Sequence, residues 1–169
     1  MYMPSDDTFL LADCITEYFG MQALEIGVGS GHLLRLLEKN FARVVGSDID
    51  LRALEHCKGK SGAMLACCDA ASAFEGKFDL IVSNPPYLPD DRVRDTTVHG
   101  GPEGIEVTIH LIQSALPLLA RDGRILFVVS SLADSSALDR FVMEKNLRNS
   151  VIKEKRLFYE TLSAVELRR

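Results

Sequence analysis

The chain has 169 residues, of which 47% are hydrophobic and 25% are charged, and its formal net charge at pH 7 is −5. This length and composition predict one globular domain spanning residues 1–169 and argue against a disordered chain. The acidic balance argues against the broad basic surface on which affinity for a nucleic-acid backbone depends. Nucleic acid is therefore a disfavoured partner.

The N-terminal segment and the cysteines give no sign of export or metal binding. No basic stretch opens the chain, and the apolar run from Phe9 to Ile15 is broken by Asp13. This argues against a signal peptide or a membrane anchor, and we expect a cytoplasmic protein. The cysteine spacing does not match a metal site, so we predict none and interpret the four cysteines as reduced, buried thiols. They are Cys14, Cys57, Cys67 and Cys68.

The first two elements differ in their apolar period. Ser5, followed by Asp6 and Asp7, predicts a helix start in which the Ser5 hydroxyl caps the free N–H groups, and Gly20 ends the helix. The short apolar run over 23–26 then predicts a strand that leads into a glycine-rich turn.

Strands and helices continue to alternate along the rest of the chain. Further strands are predicted at 44–48, 63–67, 78–83, 124–130, 151–155 and 164–167, with helices near 33–37, 51–57, 105–119 and 135–145. Alternation with continuously apolar strands predicts a doubly wound α/β fold, with a mostly parallel seven-stranded sheet and helices on both faces.

One long segment, residues 88–104, has no predicted structure of its own. A loop of this length in a compact domain is more often functional than not. We interpret it as a substrate-facing lid, and a plain surface excursion is the alternative.

The turn after the first strand predicts a cofactor site. Its glycines, Gly27, Gly29 and Gly31, allow a ligand to approach the backbone, and the following helix offers unpaired N–H groups. A nicotinamide dinucleotide would favour a further glycine or alanine where His32 stands, which weakens that interpretation. We interpret His32 as a helix-start residue without a chemical role.

Acidic residues after the next two strands suit a nucleoside. Asp48 ends the second strand about 20 residues after the first glycine, where a carboxylate can accept hydrogen bonds from ribose hydroxyls. Asp69 follows the third strand and could accept from an adenine amino group. A solvated turn aspartate is the alternative at both positions. We interpret Asp50 as a helix N-cap.

The fourth strand runs directly into Asn84-Pro85-Pro86-Tyr87. The prolines restrict the backbone, so the carbonyl groups point in fixed directions. The Asn84 side-chain oxygen and the Pro85 carbonyl could accept both hydrogens of one NH2 group, and Tyr87 could stack on its plane. The alternative is a turn that only ends a strand. Beside an adenosine-like site, we favour the target-binding role.

These motifs together resemble a known family. EIGVGSG at 25–31, the acid Asp48 and SNPPY at 83–87 resemble class I S-adenosylmethionine-dependent methyltransferases of the N-methylating branch. YMPSDDTFLLAD at 2–13 and HGGPEGIE at 99–106 are similar to the HemK family of glutamine methyltransferases acting on peptide-chain release factors, and the compact form resembles its archaeal and eukaryotic branch. Asp6 stands where that family commonly has a glutamate.

The resemblance implies a Rossmann-like fold, S-adenosyl-L-methionine as cofactor, and methylation of a glutamine amide in a release factor. It implies a cofactor pocket lined by Thr8, Glu25, Gly27, Asp48, Asp69 and Ala70, to which we add Gly29, Gly31 and Asn84. It places the target amide against Asn84, Pro85, Pro86 and Tyr87. Catalysis would rest on positioning and on acceptors that stabilise the charge developing on the nitrogen.

Two other functions stay open. A nucleic-acid methyltransferase acting on adenine N6 or guanine N2 would use the same motif, because those groups are also planar NH2 donors. The acidic balance and the lack of residues for a target-recognition domain count against it. A non-catalytic partner subunit would keep the fold as a scaffold, and the intact motifs count against that.

The third predicted strand suggests a partner. Residues 62–68 contain no charged residue and no proline. In the strand order of the resembled class this strand lies at the sheet edge, where another chain can add a strand. Relatives in the resembled branch are often activated by a small zinc-binding protein, so we expect such a protein or a second copy of the chain to cover this edge. Protection by a neighbouring loop or by burial of alternate side chains is the alternative.

Overall fold

The computed structural model describes residues 2–90, 95 and 97–169. Its helices are α1 (Asp6–Ile15), α2 (His32–Asn40), α3 (Leu51–Cys57), α4 (Glu106–Ala115) and α5 (Ser135–Glu144). Its strands are β1 (Gly20–Ile26), β2 (Phe41–Asp48), β3 (Met64–Cys67), β4 (Phe78–Ser83), β5 (Leu88–Pro89), β6 (His99–Gly101), β7 (Leu119–Ser130), β8 (Arg148–Arg156) and β9 (Thr161–Arg168). None of the helices in this part of the chain combines the length and the apolar character needed to cross a membrane.

Seven strands form one sheet in the order β3-β2-β1-β4-β7-β9-β8. The first five of these are parallel, and β9 runs antiparallel to both β7 and β8. The chain steps outward from β1 to β3 and then returns to place β4 on the other side of β1, so the strand order reverses between β1 and β4. Ligand sites in such sheets lie beyond the carboxyl ends of the strands at this reversal.

Helices cover both faces of the sheet. On one face α1, α2 and α3 bury residues such as Leu11, Leu34 and Leu54 against the sheet. On the other face α4 and α5 bury Ile112 and Phe141. The central strands contribute alternate side chains to both cores, which is why they are apolar throughout. The predicted doubly wound α/β fold with a mostly parallel seven-stranded sheet is confirmed.

The junction between α4 and β7 differs from the prediction. The helix ends at Ala115, and a 3-10 turn over Leu116–Leu118 follows, because Pro117 has no N–H to continue the helical hydrogen bonds. β7 already begins at Leu119, and its regular pairing with β4 resumes at Arg124 after an irregular stretch. The predicted start of this strand at residue 124 was therefore wrong, and residue 124 is instead where the regular pairing with β4 begins.

The predicted side-chain caps have different outcomes. The Asp50 side chain accepts a hydrogen bond from the backbone N–H of Arg52 at 3.0 Å, which confirms its role as the N-cap of α3. Ser5 lies at the N-cap of α1, but its hydroxyl makes no capping hydrogen bond, so that prediction was wrong. The carboxylate of Asp7 accepts from the backbone N–H of Thr8 instead.

The cysteines do not share one environment. Cys14 and Cys57 are buried free thiols, as predicted. Cys67 is exposed and Cys68 is half-buried, so the expectation of four buried thiols was wrong. The physical reason is that β3 is the edge strand of the sheet, and residues at its carboxyl end have neighbours on one side only.

Candidate functional site

A cleft of about 1010 Å³ opens at the carboxyl ends of the parallel strands. The structure brings together eleven of the twelve residues predicted for the site. They are Thr8, Glu25, Gly27, Gly29, Asp48, Asp69, Ala70, Asn84, Pro85, Pro86 and Tyr87. His32 also lines the cleft, as the first residue of α2, and its ring lies edge-on to Phe9.

Gly31 is the predicted site residue that does not line the cleft. It stands at the start of α2 with a φ of 71°, in the left-handed region that favours glycine. A Cβ atom at this position would lie 2.7 Å from the Cys57 sulfur. The structure therefore gives Gly31 a role in the turn and in helix packing, and the predicted cofactor contact has no support from its position.

The glycine-rich turn and Asp48 hold each other in place. The backbone N–H of Gly27 donates to the Ser47 carbonyl at 2.8 Å, and that of Gly29 donates to Asp48 Oδ2 at 2.9 Å. Asp48 Oδ1 accepts from the backbone N–H of Asp50, also at 2.9 Å. A carboxylate has about four lone-pair positions, so Asp48 is fixed in direction and still has capacity for a ligand's hydroxyl groups.

Glu25 is buried at the end of β1 with only 2% of its surface exposed. Its Oε2 atom finds no hydrogen-bond partner among the residues that the structure describes. Burial raises the pKa of the Glu25 carboxyl well above its usual range, and the negative charge of Asp48 raises it further, while Arg35 opposes the shift. An unsatisfied carboxyl oxygen at the cleft suits a ligand that brings a hydrogen-bond donor or a positive charge.

Asp69 is held by a residue that the sequence analysis missed. His110 on α4 lies with its Nε2 atom 2.9 and 3.0 Å from the two carboxylate oxygens of Asp69. Next to it, Ala70 adopts a positive φ of 49°, and its carbonyl accepts a hydrogen bond from the buried Ser47 hydroxyl at 2.6 Å. A single histidine on a predicted helix carries no sequence signal for this contact, because Asp69 and His110 are 41 positions apart.

The end of β4 presents an acceptor without a partner. The Ser83 hydroxyl donates to the Ile26 carbonyl at 2.9 Å and fixes the strand end beside β1. The Asn84 Nδ2 atom donates to Thr8 Oγ1 at 3.4 Å. Asn84 Oδ1 is buried and has no hydrogen-bond partner within the described chain. Because an unpaired buried acceptor is costly, this oxygen is suited to receive a donor from a bound target group.

Asp7 links the N-terminal segment to the Asn84-Pro-Pro-Tyr87 loop. Its Oδ2 atom accepts from the Tyr2 hydroxyl at 2.8 Å and from the Tyr87 hydroxyl at 2.9 Å. Its Oδ1 atom accepts from the backbone N–H of Thr8 at 2.5 Å and from the Thr8 hydroxyl at 3.1 Å. Sequence analysis assigned Asp7 only to the first turn of α1, since nothing in the chain's spacing places it beside Tyr87.

Two glycines pack closely against the backbone of the Asn84-Pro-Pro-Tyr87 loop. A Cβ atom on Gly100 would lie 2.5 Å from the Pro86 carbonyl oxygen, and one on Gly104 would lie 2.5 Å from the Tyr87 carbonyl oxygen. Both belong to the segment predicted as a lid. Residues 91–94 and 96 of that segment lie outside the described residues, whereas Thr97 and Val98 line the cleft. The lid itself stays a prediction.

Comparison with known proteins gives the family. Residues 5–162 match the family model described as the methyltransferase small domain. The chain belongs to this methyltransferase family. A protein of Methanocaldococcus jannaschii whose name describes it as an N5-glutamine methyltransferase is 31% identical over 144 residues, which are 78% of this chain and 73% of that protein.

Two further relatives of the methyltransferase chain differ in how much they share with it. The release factor glutamine methyltransferase of Bradyrhizobium diazoefficiens is 32% identical over 151 residues, covering 73% of this chain and 51% of that protein. The chain thus spans about half the length of this bacterial relative. The E. cuniculi Mtq2-Trm112 complex, described as responsible for methylation of the translation termination factor eRF1, gives a TM-score of 0.83 at 24% identity, covering 99% of this chain and 98% of the matched chain. This likeness shows the shared fold.

Proposed function

We propose that this methyltransferase transfers a methyl group from S-adenosyl-L-methionine to the side-chain amide nitrogen of a glutamine in a peptide-chain release factor. The observation that carries the proposal is the buried, unpartnered Oδ1 atom of Asn84 at the end of β4. It offers a planar NH2 group the acceptor that it needs. The names of the archaeal and bacterial relatives support glutamine as the side chain concerned.

We assign parts of the cofactor to three acidic residues of the cleft. We assign the ribose hydroxyls to Asp48, whose carboxylate is already oriented by two backbone N–H groups. The unsatisfied Glu25 carboxyl is assigned to the positively charged part of the cofactor, and Asp69 to the adenine amino group. The cofactor, when bound, supplies a methyl group activated by a sulfonium.

The residues at the end of β4 orient the target nitrogen. Asn84 Oδ1 and the Pro85 carbonyl accept its two hydrogens, and the ring of Tyr87 packs against the amide plane. As the target nitrogen bonds to the methyl carbon, the bond from that carbon to sulfur would break. The nitrogen would gain positive character, so its N–H groups would become stronger donors, and one of its two hydrogens would then leave as a proton to water. The two hydrogen bonds therefore strengthen toward the transition state, which is how fixed acceptors accelerate a reaction.

Incorporation of a labelled methyl group tests the proposal. The protein is incubated with labelled S-adenosylmethionine and, separately, with bacterial and eukaryotic release factors, the same factors with the target glutamine changed to alanine, bulk RNA and bulk DNA. We expect label only in a glutamine-containing release factor. Asn84→Ala should abolish it, whereas Asn149→Ala, an exposed asparagine on β8, should not.

Each other outcome supports a different function. Label in RNA or DNA would contradict the proposal and favour the nucleic-acid methyltransferase. A protein that binds a release factor but labels no acceptor would favour the non-catalytic subunit.

We also propose that a partner adds a strand to β3, either a small zinc-binding activator protein or a second copy of this chain. β3 is an outer strand of the sheet, and Met64 on it is 51% exposed. Ile49, whose carbonyl lies 3.8 Å from the Cys67 sulfur, is 77% exposed beside it. An apolar edge of this kind favours pairing with another strand. The related E. cuniculi protein was solved as a complex of two proteins.

Light scattering of the purified protein, alone and with a candidate zinc-binding partner, tests whether another chain pairs with β3. We expect the wild type to form a dimer or a complex that Met64→Lys weakens, because a charge at a strand edge opposes pairing. Leu65 is a poorer choice because it packs partly against the core. Met143→Lys on α5, where Met143 is 78% exposed, is the matched control. A wild-type monomer that is active without added protein contradicts the proposal.

We further propose that residues 1–169 act as one domain in the cytoplasm. The main sheet joins residues from Gly20 to Arg168, which supports a single domain. Release factors work on ribosomes, which supports the location. Thermal unfolding should follow one cooperative transition, and two separate transitions would contradict the single domain.

A further inference from the structure

We propose that Asp7 is a positioning residue. It orients the side-chain amide of Asn84 through Thr8, and it holds the ring of Tyr87 directly. This inference rests on the proposed function, because it gives Asn84 the acceptor role. Asp7 is 2% exposed and Thr8 is 5% exposed, at the start of α1, and Asn84 lies 76 positions from Thr8 in the sequence. The proposal makes the N-terminal helix part of the target site.

The first step concerns the direction of the hydrogen bonds. An ionised carboxylate only accepts, so the Thr8 hydroxyl gives its single hydrogen to Asp7 Oδ1 at 3.1 Å. Thr8 Oγ1 is then left with lone pairs, and the group that faces it at 3.4 Å must be a donor. Of the two ends of the Asn84 amide only the NH2 end can donate. The carbonyl end is thereby directed to the position where Asn84 Oδ1 is buried without a partner.

The second step concerns Tyr87. Its hydroxyl donates to Asp7 Oδ2 at 2.9 Å, and the Tyr2 hydroxyl donates to the same oxygen at 2.8 Å. Burial, followed by the negative charge of Asp7, raises the pKa of Tyr87 well above its usual range, which keeps the phenol protonated and donating. One carboxylate therefore fixes the ring of Tyr87 and, through Thr8, the amide of Asn84.

The third step excludes other roles for Asp7. Each of its oxygens already accepts two hydrogen bonds from the protein, which fills the capacity of a carboxylate. With 2% of its surface exposed, it has no free side from which a substrate proton could approach. A proton acceptor needs a free lone pair within reach of the proton. Asp7 is thus suited to hold other residues and unsuited to act as the base.

Substitutions at Thr8 give the sharpest test. Thr8→Val keeps the shape of the side chain but removes the hydroxyl, whereas Thr8→Ser keeps the hydroxyl. We expect Thr8→Val to lower kcat roughly tenfold or more at saturating cofactor, since a small misplacement of a positioning group has effects of this size. Because the family resemblance also places Thr8 at the cofactor pocket, affinity for S-adenosylhomocysteine is measured separately by calorimetry, and we expect the fall in kcat at saturating cofactor to exceed any fall in affinity. Thr8→Ser should restore kcat.

Asp7→Asn tests the carboxylate that accepts these hydrogen bonds. We expect kcat to fall by about 10- to 100-fold, with a smaller change in KM for the release factor. The matched control is Asp13→Asn, on the same helix, where the carboxylate lies in an exposed ion pair with Lys153. Tyr2→Phe should have a smaller effect than Tyr87→Phe, because Tyr2 shares the Asp7 oxygen but is not one of the residues that we assign to the target amide. If Asp7→Asn does not fold, the two Thr8 variants decide alone.

A readout independent of activity is the NMR signal of the Asn84 side-chain amide, assigned by its loss in Asn84→Ala. We expect this signal to shift in Thr8→Val and to return in Thr8→Ser. The proposal is overturned if Thr8→Val keeps wild-type kcat, if cofactor affinity falls in proportion to kcat, or if the Asn84 signal does not move. A wild type that labels a different acceptor contradicts the proposed function only, and the same variants are then assayed with that acceptor.

Discussion

Asp48 ends β2 and Asn84 directly follows β4, the two strands that flank β1, and the structure holds the two residues in different ways. Asp48 accepts hydrogen bonds from two backbone N–H groups and keeps free lone pairs toward the cleft. Asn84 donates to Thr8 and leaves its oxygen unpaired. Because we assign the two residues to different parts of the bound complex, substitutions at them should separate cofactor binding from turnover.

We expect Asp48→Ala to weaken cofactor binding by one to two orders of magnitude, since a hydrogen bond to a charged group contributes roughly 1.5–3 kcal/mol. Asn84→Ala should instead chiefly abolish turnover. Calorimetric titration with S-adenosylhomocysteine and single-turnover kinetics measure the two effects. Unchanged cofactor affinity in Asp48→Ala would show that the ribose assignment is wrong.

Glu25 should couple cofactor binding to pH. Burial and the charge of Asp48 raise its pKa, so in the free protein the carboxyl keeps its proton above the ordinary glutamate value of about 4.3. A positively charged cofactor beside it favours the ionised form, so binding should release a proton. The affinity should then increase with pH from that ordinary value up to the raised pKa of the free protein.

Calorimetry in two buffers with different ionisation enthalpies measures this proton release. Glu25→Gln cannot ionise, so its cofactor affinity should lack the pH dependence. The same pH dependence in Glu25→Gln and in the wild type would assign the proton to another group.

The residues that sequence analysis missed share one physical feature. Asp7 and His110 form hydrogen bonds with residues 80 and 41 positions away, Tyr87 and Asp69 respectively. Gly27, Asp48 and Asn84 could be singled out from the sequence because each stands at a strand end or in the glycine-rich turn, whereas Thr8 was named only through the family resemblance. The partners of a lone aspartate or histidine depend on how helices dock on the sheet, which local spacing does not contain.

At the level of elements, two glycines of the segment predicted as a lid, residues 88–104, lie close to the Asn84-Pro-Pro-Tyr87 loop. Gly100, in β6, has no room for a side chain, because a Cβ atom would lie 2.5 Å from the Pro86 carbonyl and 2.7 Å from the Gly104 carbonyl. We expect Gly100→Ala to displace the loop and to lower kcat about tenfold or more, with cofactor affinity retained.

The control for Gly100→Ala is Gly62→Ala, whose Cβ would meet only the flexible Glu38 side chain, at 3.3 Å. Kinetics and thermal melting of both variants are compared. Wild-type kcat in Gly100→Ala would show that the glycine contact does not position the target site.

Element boundaries were less predictable than element types. All five helices and all seven strands of the main sheet were expected, but β1, β2, β8 and β9 extend beyond the predicted apolar runs. β8 shows the reason, since nearly all of its residues are exposed and its polar sequence carries little apolar pattern. It is a strand because β9 supplies its hydrogen-bond partners.

At the scale of the whole molecule, a polar contact joins the segment between α1 and β1 to β9. The Tyr18 hydroxyl donates to Glu166 Oε2 at 2.8 Å, and Arg124 Nε lies 3.4 Å from the same oxygen. Glu166 is 8% exposed. Tyr18→Phe should therefore destabilise the fold by about 1–3 kcal/mol, because it removes a donor from a buried acceptor.

The comparison for Tyr18→Phe is Lys153→Ala, which breaks an exposed ion pair with Asp13 and should cost about 1 kcal/mol or less. Urea unfolding followed by circular dichroism measures both free energies of unfolding. A larger loss in Lys153→Ala than in Tyr18→Phe would contradict this ranking.

The position of α1 in the fold affects when the parts of the candidate site can assemble during synthesis. Asp6 and Asp13 of α1 make ion pairs with Lys155 and Lys153 of β8, yet α1 leaves the ribosome before any strand of the sheet. Because β8 joins the sheet through β9, which follows it in the chain, these two ion pairs can form only once β9 has also been made. A nascent chain would hold a nearly complete cofactor cleft and an unassembled target site. We therefore expect activity to appear late in synthesis. In a series of stalled nascent chains of increasing length, cofactor binding should appear at a shorter length than methyl transfer.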